Sequence, residues 1–302
     1  MAVNPPPVIV PAAGQSSRFP NMKPKYLLYD YKHDLMLKNA IQPYLHCGIT
    51  VGILKEHDEK YNASEFIRHD LGDKVNIVIL DEPTSGPAET VAKIIEARDL
   101  KNEEILIKDC DGFYDADIVD GNAIYVSKLS KNPDIRNAPA KSYTITNEQN
   151  IITTVVEKQI VSNSFCVGGY QFRSGCDYVQ AFEALNGKMK SEIFVSNIID
   201  YMISNGQIFS ECKVDNFIDV GTADDWFKYN NKPTYFCDID GTILKSAEYN
   251  MSYEPLFDNV AKLKSEIARG CQVVFCTARP KKYEEMTRKI LDELGFSDCQ
   301  LI

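Results

Sequence analysis

The stretch VIVPAAGQSSRF, residues 8–19, predicts a buried strand that ends in a loop of small and polar residues. Further apolar runs that end in loops follow along the next hundred residues. Stretches with helical spacing lie between them. Apolar runs lie at 50–55, 76–82 and 104–113, and helical spacing lies at 36–48 and 88–100. This alternation predicts an α/β fold, with a parallel sheet covered by helices. Gly48 is interpreted as the stop signal of the first helix.

The rest of the chain predicts further elements and a second domain. Residues 139–175 are rich in strand-forming segments, and 192–206 have helical spacing. The polar segment KYNNKP, 228–233, predicts a linker. It separates a domain of residues 1–230 from a smaller one of residues 233–302. The smaller domain has predicted strands at 235–240 and 271–279 and predicted helices at 258–270 and 281–296.

Composition and net charge restrict the partners and the cellular location that we expect. The chain has 302 residues, of which 44% are apolar, and a formal net charge of −10. Such a charge disfavours nucleic acid as a partner, although local basic residues can still bind a small anion. We recognise neither a membrane span nor a signal peptide, and nine cysteines form no C-x-x-C pair, so we expect a cytoplasmic protein without a membrane partner. The four histidines have no paired spacing and are interpreted as exposed or hydrogen-bonded polar residues. Association into a homo-oligomer is left open.

The loop after the first predicted strand is a candidate phosphate-binding loop. Small residues at a strand end let backbone N–H groups approach phosphate oxygens. Arg18 and Lys25 follow the loop and would neutralise a triphosphate. A tight surface turn with solvated basic residues explains this pattern equally well. The candidate nucleotide-binding residues of the loop are Ala12, Ala13, Gly14, Gln15 and Ser16.

A second loop, at Gly86, Pro87 and Ala88, lies between a predicted strand and a predicted helix. Small residues there would leave room for a flat nucleotide base. On this segment alone, the favoured interpretation is an ordinary helix N-terminus.

Two aspartates follow apolar strands, Asp111 in KDCD and Asp219 in FIDVGT. Mg²⁺ is usually held by one or two carboxylates together with substrate phosphates. The pair is therefore a candidate Mg²⁺ site, provided that the fold brings the two carboxylates together.

Taken in order, these segments resemble the sugar-phosphate nucleotidylyltransferases, also called nucleoside-diphosphate-sugar pyrophosphorylases, over roughly residues 8–226. PAAGQSSRF with PKYLL is similar to the loop of that family, except at Gln15-Ser16, where a second glycine is common. The resemblance implies a Rossmann-like, GT-A-like mixed or parallel sheet. It also implies Mg²⁺-dependent transfer of a nucleoside monophosphate from an NTP to a phosphorylated small molecule, with release of pyrophosphate.

The resemblance also assigns roles to individual residues. It implies that Arg18 and Lys25 are catalytic and contact the triphosphate, and that Asp111 and Asp219 bind the metal. It further places two segments on the acceptor side, with Lys158 at the acceptor phosphate. The acceptor-side residues are Glu157, Lys158 and Gly169.

The segment FCDIDGT, 236–242, resembles the haloacid dehalogenase (HAD) superfamily of phosphohydrolases. That resemblance implies that Asp238 is a nucleophile and Asp240 a general acid and base, and that both bind Mg²⁺. VVFCTAR, 273–279, is similar to the second motif of the superfamily, in which Thr277 would bind the transferring phosphoryl group. We recognise no downstream lysine and acidic motif, so we predict a partial HAD-like domain and leave its phosphatase activity open.

The leading hypothesis is a nucleotidylyltransferase fused to this domain. Such a fusion suggests consecutive steps in making an activated building block, for example in nucleotide-sugar synthesis for a capsule or surface polysaccharide. One alternative is a cytidylyltransferase for a non-sugar phosphate, such as an amino alcohol or polyol phosphate. Another alternative is a nucleotide-binding regulatory protein without turnover.

Overall fold

The structure is a computed structural model of the chain, and it describes residues 5–73, 75–189, 191–245 and 253–302. The chain divides into two compact units, unit 1 (Met1–Trp226) and unit 2 (Phe227–Ile302). No helix in the described part of the chain is both long and apolar enough to cross a membrane.

The elements of unit 1 follow one another in an order that alternates strands and helices in its first half. In chain order they are β1 (Val8–Pro11), α1 (Met36–Ile41), β2 (Ile49–Leu54), α2 (Lys55–Tyr61), α3 (Ala63–Leu71), β3 (Asn76–Leu80), α4 (Pro87–Ala97), β4 (Ile105–Lys108), β5 (Gly112–Asp115), β6 (Ala123–Lys128), β7 (Tyr143–Thr146), β8 (Ile152–Val156), β9 (Ser164–Phe172), α5 (Gly175–Leu185), α6 (Val195–Ser204), β10 (Ser210–Lys213), β11 (Asp215–Asp219) and α7 (Ala223–Asn230). The last of these helices contains the boundary between the units.

The main sheet of unit 1 is mixed and rich in parallel pairs, with the strand order β10-β6-β9-β4-β1-β2-β3. Strands β1 to β4 form the parallel part, whereas β9 runs antiparallel to both β4 and β6. The predicted α/β fold is confirmed, but a purely parallel sheet is not. Because β1 to β4 are parallel, the loops that follow them leave the sheet at one edge.

The first strand is buried on both faces. Val8, Ile9 and Val10 are each 0% exposed. Ile9 packs into a core with the residues of α4, α5 and α6, and Val8 and Val10 pack into a second core with α1. A continuous apolar run is therefore favoured here over the alternating pattern of a strand with one solvated face.

A short second sheet joins two distant parts of unit 1. Strand β11 pairs antiparallel with β5, and Asp219 lies opposite Gly112. The amide N–H of Val220 donates a hydrogen bond of 3.0 Å to the carbonyl of Asp111. This pairing brings the end of β11 beside the loop that follows β4.

Two predicted boundaries in unit 1 are wrong. The first helix ends at Ile41 rather than at Gly48, and a 3₁₀ turn over Gln42–Tyr44 follows, because proline at 43 cannot donate to a continuing α-helix. The predicted linker at 228–233 begins inside α7, which extends to Asn230.

Unit 2 has a three-stranded parallel sheet with the order β12-β13-β14. Its elements are β12 (Thr234–Asp238), α8 (Phe257–Ala268), β13 (Gln272–Cys276), α9 (Glu284–Glu293) and β14 (Gln300–Leu301). The predicted strands and helices of this region are confirmed within a few residues. Its core includes Ile239, Phe275 and Leu291, each 0% exposed. The assignment to an HAD-like domain stays a prediction.

Candidate functional site

A cavity of about 440 Å³ opens at the edge of the main sheet where the parallel strands end. Three loops line most of it, the ones that follow β1, β3 and β4. The lining residues are Pro11, Ala12, Ala13, Gly14, Gln15, Ser16, Lys25, Pro83, Thr84, Ser85, Gly86, Pro87, Thr90, Asp109, Cys110, Asp111 and Glu192. Small-molecule sites typically occupy about 300–1,000 Å³. The structure therefore brings the three loops singled out in the sequence around a space of suitable size.

The loop after β1 departs from the glycine pattern at Ser16, which adopts a left-handed φ of +51°. Glycine usually takes such a conformation at least cost. The Ser16 hydroxyl has a function that glycine would lack, because its Oγ accepts a hydrogen bond of 3.1 Å from the backbone N–H of Lys25. The serine thus retains the loop conformation and fixes the start of the segment that carries the lysine.

The loop after β3 lines the cavity, but the small size of its residues has another cause. A Cβ on Gly86 would lie 2.7 Å from the side chain of Glu192 and 2.9 Å from the carbonyl of Ile193. Ala88 is 0% exposed, belongs to the core and does not line the cavity. A nucleotide-binding role for this loop stays a prediction. The alternative interpretation, a helix N-terminus, is confirmed by α4, which begins at Pro87.

Lys25 and Asp111 form a close ion pair at the cavity. The distance from Lys25 Nζ to Asp111 Oδ2 is 2.5 Å, and Arg18 approaches the same oxygen to 3.5 Å. Burial opposes ionisation of Asp111, but the charge and hydrogen bond of Lys25, together with the charges of Arg18 and Lys141, outweigh it and hold the pKa of this carboxyl below its usual range. Similarly, burial alone would lower the pKa of Lys25, but its hydrogen bond to Asp111 and the nearby negative charges together raise the pKa. Both groups are charged at neutral pH.

Asp219 reaches the same place from β11. A methyl group built on Gly221 would lie 3.1 Å from Asp111 Oδ2, 3.1 Å from Asp219 Oδ1 and 3.5 Å from the guanidinium of Arg18. The two carboxylate oxygens are therefore separated by at most about twice that distance. The amide N–H of Gly221 also donates to Asp219 Oδ1 at 3.1 Å. Four residues that are far apart in the sequence, Arg18, Lys25, Asp111 and Asp219, thus converge around one point.

Lys141 also belongs to this cluster, and sequence reasoning missed it. The distance from its Nζ to Asp219 Oδ2 is 2.5 Å, and the two side chains are 22% and 17% exposed. The pair matches Lys25 and Asp111, whose side chains are 20% and 17% exposed. Lys141 precedes β7 in the segment AKSYTIT, which contains no pattern that would have indicated a site.

Lys108 and Asp109 belong to the KDCD segment noted in the sequence, which assigned a role only to Asp111. Lys108 is 0% exposed, and its ammonium donates hydrogen bonds of 2.7 and 2.6 Å to the carbonyls of Asp109 and Gly112. It also lies 4.5 Å from the ring centroid of Tyr114. Burial lowers the pKa of Lys108 to about 8. The side chain stabilises the turn that presents Asp111, and the sequence signal was a lysine at the end of the apolar run ILIK.

Two of the acceptor-side candidates, Glu157 and Lys158, have different surroundings. Glu157 accepts hydrogen bonds from the hydroxyls of Ser142 and Ser196, the latter at 2.5 Å. Lys158 is exposed, adopts a left-handed φ of +55°, and its ammonium lies 4.0 Å from the ring centroid of Phe194. Glu157 is thus held in place, while Lys158 presents its charge at the surface.

Gly169 is required for packing around β9. A Cβ there would overlap with the hydroxyl of Tyr114 and would lie 2.9 Å from Cβ of Tyr125. Its neighbour Gly168 has a φ of +79°, and its carbonyl accepts a hydrogen bond of 2.7 Å from the N–H of Asp109. The two glycines therefore hold β9 against the loop that carries Asp109 and Asp111.

The carboxylates fit Mg²⁺ as a pair rather than as a complete cage. Asp111 and Asp219 offer the carboxylate oxygens that this ion prefers, and one oxygen of each lies 3.1 Å from a Cβ built on Gly221. Within the described ranges, no three His, Cys, Asp or Glu side chains come together in a way that would hold a metal. Further ligands would have to come from a substrate or from water, which is common for Mg²⁺.

In unit 2, the predicted phosphohydrolase residues lie at the ends of adjacent strands. Asp238 ends β12 and pairs in register with Cys276, the residue before Thr277. Asp238 is exposed. Asp240 accepts two hydrogen bonds from Arg279, at 2.7 Å from Nε and 2.5 Å from Nη2. Both carboxylate oxygens of Asp240 are thus engaged by one guanidinium.

Comparison with known proteins supports the fold of the larger unit. No protein-family model matches the sequence, and no curated protein matches it either. Among solved structures, a nucleoside-diphosphate-sugar pyrophosphorylase from Vibrio cholerae RC9 is similar, with 18% identity, a TM-score of 0.63, and coverage of 73% of this chain and 98% of that one.

Two further solved structures are similar to about the same extent. An inositol-1-phosphate CTP transferase from T. maritima has 15% identity, a TM-score of 0.59, and coverage of 74% of this chain and 91% of that one. A protein assigned as a glucose-1-phosphate thymidylyltransferase from Bacillus anthracis has 16% identity, a TM-score of 0.60, and coverage of 74% and 93%. At these identities the similarity establishes a shared fold.

Proposed function

We propose that unit 1 is a nucleotidylyltransferase, which moves a nucleoside monophosphate from an NTP to a phosphorylated small molecule and releases pyrophosphate. The observation that carries the proposal is the convergence of Arg18, Lys25, Asp111 and Asp219 around one point, next to a cavity of about 440 Å³. The names of the proteins that share the fold are in accord with this reaction class.

The proposed reaction needs positioning and neutralisation of charge more than a covalent nucleophile. An oxygen of the acceptor phosphate attacks the α-phosphorus of the NTP in line, and the bond from that phosphorus to the leaving pyrophosphate breaks. Lys25 and Arg18 would neutralise charge that develops on the triphosphate, and their contacts with Asp111 beside the cavity support this role. Asp111 and Asp219 would hold Mg²⁺, which supplies charge neutralisation and a common anchor for the phosphates when it is bound.

Two classes of acceptor are candidates. The first is a sugar 1-phosphate, and its product would be an activated sugar of the kind used for a capsule or surface polysaccharide. The second is an amino alcohol or polyol phosphate, which would be joined to CMP. Proteins named for sugar and for inositol phosphates share this fold, so the fold itself favours neither class.

A screen of the full chain tests the reaction. Each of ATP, CTP, GTP, UTP and dTTP is incubated with a panel of sugar 1-phosphates and polyol phosphates, and release of pyrophosphate is measured with Mg²⁺ and with EDTA. We expect one base and one acceptor class to give turnover that EDTA abolishes. Nucleotide binding with no pyrophosphate release for any acceptor would favour a regulatory nucleotide-binding protein instead.

A second activity is proposed for unit 2, the hydrolysis of a phosphate ester. The observation that favours it is the placement of Asp238 and Thr277 at neighbouring strand ends. Use of Asp240 as an acid and base would require its release from Arg279. Hydrolysis of p-nitrophenyl phosphate by the full chain, lost in Asp238→Asn and retained in Asp258→Asn, would support this activity. No hydrolysis by the unaltered chain with Mg²⁺ would contradict it.

A further inference from the structure

Lys141 contacts both a candidate metal ligand and the segment assigned to the acceptor. Its ammonium is 2.5 Å from Asp219 Oδ2, and it also lies 5.8 Å from the ring centroid of Phe217 on the same strand, β11. Its carbonyl accepts a hydrogen bond of 3.1 Å from the N–H of Lys158, on the acceptor side. The residue thus joins a candidate metal ligand to the segment expected to face the acceptor.

The pair formed by Lys141 and Asp219 can be opened without unfolding the site. Its two side chains are 22% and 17% exposed, so water reaches both groups. The contact is a single ammonium against one carboxylate oxygen, on a flexible four-carbon stem. By contrast, Lys25 is also fixed at its backbone by Ser16, and its partner Asp111 has a second cation in Arg18. Lys141 is the more exchangeable of the two lysines.

A divalent cation between Asp111 and Asp219 would repel the ammonium of Lys141, because all three charges would share a space a few ångströms wide. We infer that Lys141 and the divalent cation compete for the Asp219 carboxylate, and that the ammonium displaced from it binds the phosphate of the acceptor. This inference rests on the proposed function. It identifies Lys141 as a substrate-binding residue and as the link between metal binding and acceptor binding.

Binding of Mn²⁺ alone, followed by its EPR signal in the full chain, tests the competition without any turnover. Lys141→Gln removes the competing charge and keeps a side chain of similar length, so we expect its affinity for Mn²⁺ to rise by about tenfold. Lys141→Arg retains the charge and is expected to bind Mn²⁺ as the unaltered chain does. The double variant Lys141→Gln, Asp219→Asn is expected to lose the gain.

The matched control is Lys38→Gln. Lys38 forms an ion pair of 2.6 Å with Asp34, and its side chain is 31% exposed, but it lies outside the cluster around Gly221. A lysine whose role is structural would leave Mn²⁺ affinity unchanged when it is replaced. Equal Mn²⁺ affinity in Lys141→Gln, Lys38→Gln and the unaltered chain would overturn the competition.

Steady-state kinetics test the second half of the inference. Loss of a charged hydrogen bond to a phosphate is expected to raise the KM for the acceptor about 10- to 100-fold in Lys141→Gln. The KM for the NTP should change much less. An unchanged acceptor KM would overturn this role for Lys141. Failure of the unaltered chain to release pyrophosphate would overturn the proposed function, whereas the Mn²⁺ measurement would still decide whether Lys141 competes with the cation.

Discussion

The aspartates of unit 1 and those of unit 2 are paired in different ways. In unit 1, Asp111 and Asp219 each contact one lysine ammonium at 2.5 Å. In unit 2, Asp240 is held through both oxygens by Arg279, whose side chain is only 7% exposed. A lysine is a mobile point charge, whereas an arginine fork fits a carboxylate in one geometry. The difference teaches that the lysine pairs of unit 1 leave each aspartate with a single ammonium contact that can be exchanged, whereas Arg279 holds Asp240 in one geometry.

The largest expected effect is on turnover by unit 1. Asp111→Asn and Asp219→Asn should each lower pyrophosphate release by about 10²-fold or more, because each variant loses a carboxylate that we propose as a ligand of Mg²⁺. Asp111→Asn should also lower the free energy of unfolding by about 1–3 kcal/mol, since Lys25 is left without its partner.

Asp120→Asn is the control for these two variants, because its side chain is 96% exposed. It should keep both rate and stability. Rates within a few-fold of the unaltered chain in Asp111→Asn and Asp219→Asn would remove the basis for a catalytic site in unit 1.

In unit 2 the expected effect is on stability. Arg279→Ala leaves Asp240 without its fork and should lower the free energy of unfolding of unit 2 by about 1–3 kcal/mol. Arg269→Ala removes an arginine that is 70% exposed and paired with Glu266, so it should cost less than about 1 kcal/mol. Urea unfolding followed by circular dichroism measures both.

The same two variants should leave pyrophosphate release unchanged, because their ion pairs lie within unit 2. A large loss of turnover in Arg279→Ala would break the comparison, since it would make the arginine part of the function of unit 1.

The sequence pattern accounts for the position of one of the two aspartates. Asp111 follows β4, so the rule that parallel strands end at one edge was enough to expect it at the cavity. Asp219 ends β11, which lies in the separate two-stranded sheet, and that rule does not predict its place beside Asp111. Lys141 could not be found in this way. Its contact with Asp219 depends on how β7 and β11 lie relative to one another in three dimensions, and no spacing in the sequence records that distance.

Gly86 and Ala88 show why small residues are ambiguous. Gly86 lines the cavity, yet a Cβ there would lie 2.7 Å from Glu192, and Ala88 is buried in the core. A glycine or alanine in a sequence indicates close approach, and only the fold tells whether a ligand or the protein itself approaches. The end of α1 was predicted at Gly48, but Pro43 ends the α-helix earlier.

A smaller effect on stability is expected from the packing of Gly169 on β9. Gly169→Ala would overlap with Tyr114 and crowd Tyr125, so the free energy of unfolding should fall by about 1–3 kcal/mol. Gly48→Ala is the control, because nothing lies within 4 Å of a Cβ there. Thermal unfolding of the two variants should differ clearly, and equal melting temperatures would contradict the role given to Gly169.

The smallest expected effect is on the pH dependence of stability. It concerns unit 1 alone, because all four histidines lie in the sequence of that unit. His57 is 7% exposed and its Nδ1 lies 3.2 Å from the hydroxyl of Tyr26. Burial lowers the pKa of His57 below its usual value of about 6.5. Below pH 6.5 the unfolded chain therefore binds more protons than the folded one, and stability is lost as the pH falls.

His57→Gln should remove this loss. Between pH 7.5 and pH 5.5 the melting temperature of the unaltered chain should fall more than that of the variant. A difference that stays constant over this range would show that His57 does not titrate differently on folding.

Gly221 has a consequence for how this site can vary. A Cβ built at this position would lie 3.1 Å from a carboxylate oxygen of each acid and 3.5 Å from the guanidinium of Arg18. Any side chain there would therefore crowd the charged groups. A single methyl group at position 221 would push the two acids aside by a few tenths of an ångström, while every charged residue of the cluster stayed in the chain.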